Sequence, residues 1–214
     1  MGRKLRNIAA GTIAVSALAM SACADDGRSR ESDPTPSTAV GSGTQLTGAA
    51  PREQLTLADA PAADAVVARS SLLGLQVADA VGSDNVVISP ASLTTTLAML
   101  APAASDAAAD ELASLLGAMH MEAVDSVNAL SGGLSAYAGD PAAFDPGIPP
   151  DQPFLHLAQQ LLVDDRANPT QEYLDVLSAS FETPVDSVDL SSSSAKAMLD
   201  EWVSDNTGGL IPSS

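Results

Sequence analysis

"FLHLAQQLLVDDRANPTQEYLDVLSASFETPVDSVDLSSSSAKAMLDEWVSDNTGGLI", residues 154–211, sets two strand-like stretches beside two helices, and its reading decides the fold. In "FLHLAQQLLVDD" Leu155, Leu157, Leu161 and Val163 fall on one face, which predicts a half-buried strand. Asn168-Pro169 caps a helix with proline at its first position, and Leu174, Leu177 and Phe181 form its stripe. "TPVDSVDL" reads as a short strand with Val185 and Val188 as its apolar residues. A last helix, capped between Ser191 and Ser194, turns Leu199, Trp202 and Val203 inward and ends at Gly208-Gly209.

Upstream the pattern is mostly helical. Apolar residues recur at helical spacing over residues 57–80, with Val66, Leu73 and Val77 on one face, Leu72 and Leu75 between them, and a stop at Gly82. "NVVISP" then offers a strand over residues 86–89, ended by Pro90. Pro90 opens a helix capped by Ser89 or Ser92, with Leu93, Leu97 and Leu100 as its stripe. The run Thr94-Thr95-Thr96 is a weak helix former, so packing must hold this helix. A helix after Ser105 turns Leu112, Leu115 and Leu116 inward and stops at Gly117; another covers residues 122–137, interrupted at Gly132-Gly133. Residues 138–153, with five prolines and two glycines, are loop. Helices with strands inserted among them make the fold class α+β.

The N-terminus reads differently. "MGRKLRNIAAGTIAVSALAMSAC" has a basic start, an uncharged stretch from Ile8 to Ala22, and small residues before Cys23. That stretch is short for a membrane-spanning helix and suits a secretory signal over residues 1–22. Residues 23–52 are rich in Asp, Ser, Thr, Pro and Gly without apolar periodicity, a flexible tether. The folded domain is assigned to residues 53–214. After Cys23 the chain holds 6 basic against 27 acidic residues, a balance that repels phosphate backbones and argues against nucleic acid as a partner. Cys23 is the one cysteine, so no disulfide forms within a single molecule.

Two resemblances add to this reading. Met20-Ser21-Ala22-Cys23 resembles the bacterial lipobox, which implies a diacylglyceryl group on Cys23 and a protein anchored at the outer face of the cell membrane. The other reading is an ordinary signal or uncleaved anchor with an incidental cysteine, and a secreted product. "NVVISPASLTTTLAML", "ADELASLLG" and the stretch quoted first, in that order, resemble the N-terminal half of a serpin over residues 57–211. Pro102 to Ala107 departs from the family, which usually shows glycines and a polar loop there.

The serpin resemblance implies that Ser89, Pro90 and Ser92 match the small polar shutter beneath a large central sheet. It implies that residues 154–163 and 184–190 match two strands of that sheet, and that the Trp202 helix lies across its front. Serpins trap serine proteases through a bait loop near the C-terminus, which inserts into the sheet after cleavage. No reactive-centre loop is found in these residues, so the chain is expected to be a fragment that inhibits nothing by itself, its serine protease partner being that of a full-length form. The alternative is a non-inhibitory, membrane-anchored binding module built on the helical half, which would leave apolar surface and strand edges open.

An enzyme is not expected, and no catalytic, metal or cofactor site is assigned. His120, between methionines, and His156, on the polar-leaning face of its strand, are the two histidines, and each is read as a packed or exposed bystander, because a catalytic histidine needs a nucleophile and an orienting acid in reach. No phosphate loop, HExxH or Cys/His cluster occurs. Some serpins bind sulfated polysaccharides through the helix matching residues 122–137; here it has Glu122 and Asp125 and no Lys or Arg, so no polyanion partner is expected. Trp202 is assigned to the core.

Overall fold

The computed structural model describes residues 43–82, 85–145, 147–148 and 150–213. The signal segment, Cys23 and the first part of the tether lie outside these residues. Six α-helices and a three-stranded sheet follow one another in the described residues. They are β1 (Thr44–Leu46), α1 (Ala63–Val81), α2 (Pro90–Leu100), α3 (Asp106–Leu116), α4 (His120–Leu134), β2 (Leu161–Asp164), α5 (Gln171–Phe181), β3 (Val185–Val188) and α6 (Ser193–Asn206).

Local chemistry accounts for most of the boundaries. α1 begins at Ala63 and not at 57, because Asp59 draws the preceding residues into a turn: its carboxylate accepts from the Thr56 N–H at 3.0 Å and the Thr56 hydroxyl at 2.6 Å. Gly82, left-handed at φ 61°, ends it. Ser89 caps α2, its Oγ accepting from the Ser92 N–H at 3.3 Å. Gly117, at φ 78°, closes α3 by donating to the Ala113 carbonyl at 2.9 Å. α4 runs through Gly132-Gly133 without the expected interruption. α5 is capped by the Thr170 hydroxyl, which accepts from the Tyr173 N–H at 3.2 Å; Asn168 and Pro169 stand outside the helix. Ser192 caps α6 in the same way, at 3.1 Å from the Ala195 N–H.

The sheet order is β1-β3-β2. β2 and β3 are parallel, joined through α5, with Leu161 opposite Val185 and Asp164 opposite Val188. Three expectations are corrected here. Residues 154–165 do not form one long strand: only 161–164 meet a partner, and Leu155 makes an isolated bridge to Ala138. Residues 86–89 form no strand, because none of the described strands lies alongside them, and Val87 is fully exposed. Residues 43–52, read as tether, are seated on the domain and supply β1.

The core lies where α1, α2, α3, α4 and α5 meet the inner face of the sheet, around Val66, Ala98, Leu116, Val124, Leu177 and Val185. The Leu174, Leu177 and Phe181 stripe is buried as its spacing predicts. That of α2 is buried only in part: Thr94, Ala98 and Met99 form its buried side, Leu97 packs partly against the core, Leu93 is half-buried, and Leu100 faces outward. Among the described helices none is long and apolar enough to cross a membrane.

Candidate functional site

Ser89, Pro90 and Ser92 come together at the first turn of α2. The two serine hydroxyls lie 2.8 Å apart, and both residues are exposed. Pro90 packs on Gly74 of α1 so closely that a β-carbon there would collide with the proline ring. One turn further, Thr94 is buried and its hydroxyl donates to Ser70 Oγ of α1 at 2.8 Å. A polar seam therefore ties α2 to α1. The hydroxyls bond to one another, and no imidazole or carboxylate is among their hydrogen-bond partners in the described residues.

Beside this seam lies a groove of about 690 Å³. Its walls are α1 (Val66, Val67), α2 (Met99, Leu100), α4 (Leu130, Leu134), the extended run of residues 156–161, and α6 (Trp202, Val203). Ser70, Pro90, Ser92 and Thr94 also line it, so the seam and the groove adjoin. No Asp, Glu, Lys or Arg lines it, although the chain has a net charge of −18. A neutral, apolar hollow in so acidic a protein suits apolar side chains or an uncharged strand of backbone, not an ionic ligand. Trp202 is half-buried in this wall, a correction to its assignment as core; α6 buries only Ala195 fully.

The run of residues 156–160 separates this groove from a second cavity of about 240 Å³ lined by Arg52, Gly132, Leu155, His156 and Phe181 among others. It is anchored by side chains. His156 Nε2 lies 2.8 Å from Asn206 Oδ1, and Asn206 Nδ2 donates to the Trp202 carbonyl at 2.8 Å. Gln160 Nε2 donates to Asp186 Oδ2 at 2.9 Å. His120 sits elsewhere, at the start of α4, with Nε2 buried and without a hydrogen-bond partner among the described residues. The two histidines share no site. No group of three or more His, Cys, Asp or Glu among the described residues is placed to hold a metal.

Sequence reasoning missed Asn128, the most connected polar side chain of the core. It is 1% exposed, donates to the Glu53 carbonyl at 2.7 Å and the Ser180 carbonyl at 3.2 Å, and accepts from the Leu55 N–H at 2.9 Å. The signal was present: Val124, Val127 and Asn128 stand at i, i+3 and i+4 on one stripe, which puts an amide on a buried face. At the far end of the sheet, Arg166 donates to Asp164 at 2.5 Å and 3.1 Å, which lowers that carboxyl to about 2.

Comparison with known proteins gives these features a context. The sequence profile described as Serpin (serine protease inhibitor) matches residues 71–214. Among solved structures, the fold is similar to that of a thermophilic serpin, tengpin, in the native state, with a TM-score of 0.54 at 16% identity. The similarity covers 81% of this chain and 42% of that one, so the chain spans less than half the length of the solved serpin. No match is found among curated protein sequences.

Proposed function

The chain belongs to the serpin family, and on that premise we propose that it is the N-terminal portion of a serpin-type serine protease inhibitor, a trapping protein and not a catalyst. The observation that carries this reading is the neutral groove along residues 156–161. A hollow without charge in an acidic chain, flanked by an extended run that His156 and Gln160 anchor through their side chains before it enters β2 at Leu161, is what remains where further strands of a large sheet belong. In the family mechanism a protease cleaves the bait loop, stays bound as an acyl-enzyme, and the loop enters that sheet as a new strand. Ser89, Pro90 and Ser92 then act as the shutter, with Pro90 on Gly74 and Thr94 bonded to Ser70 keeping α1 and α2 in register beneath the sheet.

The bait loop is not among these residues, so they do not trap a protease by themselves. Incubation with trypsin-, chymotrypsin- and elastase-type proteases is expected to give cleavage or no reaction. A form of the protein that includes a bait loop is expected to give an SDS-stable covalent complex with at least one of them. Such a complex from residues 1–214 alone overturns the assignment.

The groove also favours a second reading, a non-inhibitory binding module that uses this hollow for contact. Cooperative melting of a soluble monomer of residues 23–214 supports the module, and aggregation supports the incomplete inhibitor. In either case we place the protein at the outer face of the bacterial membrane through lipid on Cys23. The intact mass of membrane-extracted protein is expected to show residues 23–214 plus lipid. Cys23→Ser is expected to release the protein, and retention in the membrane overturns the lipid anchor.

A further inference from the structure

Residues 43–55 precede the part of the chain that matches the family, yet they are held along their whole length. β1 lies antiparallel on β3, Thr44 opposite Ser187 and Leu46 opposite Val185. Beyond it the Ala49 N–H donates to Asp175 Oδ1 at 2.6 Å, and the Ala50 carbonyl accepts from Ser178 Oγ at 3.0 Å. Arg52 Nη1 donates to the Ala179 carbonyl at 2.8 Å while its Nε faces Glu182 at 3.4 Å. Asn128 takes the last residues from below, through the Glu53 carbonyl and the Leu55 N–H.

Two glycines set the closeness of this seating. A β-carbon at Gly43 would run into the Val188 side chain, and one at Gly48 into the Leu174 carbonyl. The attachment is thus mostly hydrogen bonds and backbone contact, with Leu46 the apolar side chain that reaches the main core. A segment with many polar ties and little buried apolar surface opens more readily than the core it covers. What it covers is a strand edge. The Pro184 carbonyl accepts from Leu161 of β2 at 3.0 Å and the Val188 carbonyl from Asp165, just past β2, at 2.9 Å, so strand alternation turns Val185 and Ser187 toward β1.

We propose that residues 43–55 are a detachable strap, which opens as a unit while the helical body stays folded and so switches the outer edge of β3 between a covered state and a strand-accepting one. A bare edge invites pairing with any extended chain, and the strap satisfies it from within.

Amide exchange on the full chain tests this. Gly48→Val and, independently, Arg52→Ala are expected to speed exchange at Val185 and Ser187 by about tenfold or more, with Ala98 and Val124 changed less than about twofold. Gly133→Ala, in open space, serves as control and is expected to change neither set. If Val185 and Val124 rise together in Arg52→Ala, the strap is part of the core and the proposal fails. It fails equally if β3 exchange is unchanged in both variants.

Discussion

Leu177 and Leu100 both stand on the apolar stripe of an 11-residue helix, yet Leu177 is 0% exposed and Leu100 is 42% exposed. The difference is regional. On the side of α5, β3 and the N-terminal strap, helix, strand and coil close on one another and Asn128 pairs the backbone that runs between them. Along α2, the run of residues 156–160 and α6, leucines and Trp202 border an open groove. Periodicity records which face of an element is apolar. Burial needs a second surface, and only one of these regions has it among the described residues.

The widest gap between the regions is expected from matched truncations. Leu177→Ala should cost about 3–5 kcal/mol, the toll of a fully enclosed cavity, and Leu100→Ala less than about 1 kcal/mol, both read by urea unfolding. Equal losses would erase the distinction. Next comes Asn128→Ala, which takes the acceptor from the Leu55 N–H and the amide donor from the Ser180 carbonyl, while the Glu53 carbonyl keeps Arg52, and should cost about 2–3 kcal/mol. On the open side, Leu157→Gln should change stability by less than about 0.5 kcal/mol while lowering dye binding and self-association in sedimentation. A large stability loss there would show that the groove wall is already packed.

The smallest effects concern acidity, and their signs oppose. Asp125 is raised by burial first, then by Glu53 and Glu122. A raised carboxyl contributes stability below its unfolded value and loses it as pH rises through the folded one. Asp125→Asn should therefore stabilise at neutral pH, by roughly a few tenths of a kcal/mol after solvent screening, and not in acid. Asp175 is lowered, by the Gln171 amide first and then the Ala49 N–H. Its contribution is present above the unfolded value and lost as pH falls through the folded one, so the strap should loosen in acid. A pH series of amide exchange at Val185, with and without Asp175→Asn, checks this.

Much of the closed region was legible residue by residue. Gly117 stops its helix because only glycine takes φ 78° without cost, and the α5 stripe is buried as its spacing implies. Even there the cap moved from Asn168 to Thr170, since several small polar residues in a row can each satisfy the first N–H groups. The strap was not legible. Its sequence, "GTQLTGAAPRE", has the composition of a linker, and nothing local says that Gly43 and Gly48 are small in order to fit beneath Val188 and against Leu174. At the site, Ser89, Pro90 and Ser92 were legible as a helix start, while the contacts that join this end of α2 to α1, Gly74 under Pro90 and Ser70 with Thr94, lie a helix away.

By itself the sequence determined that the six described helices exist, the caps of α2 and α6, the glycine stops of α1 and α3, the α+β class and, through motifs in order, the serpin family. These follow from neighbours a few residues apart, where hydrogen bonding and side-chain spacing act directly. Only the tertiary structure decided that residues 86–89 stay unpaired, that residues 154–165 contribute four residues of strand, that α2 buries Thr94, Ala98 and Met99, and that a linker-like segment becomes β1. A strand exists through its partner and a buried face through what covers it, and both partners come from far along the chain.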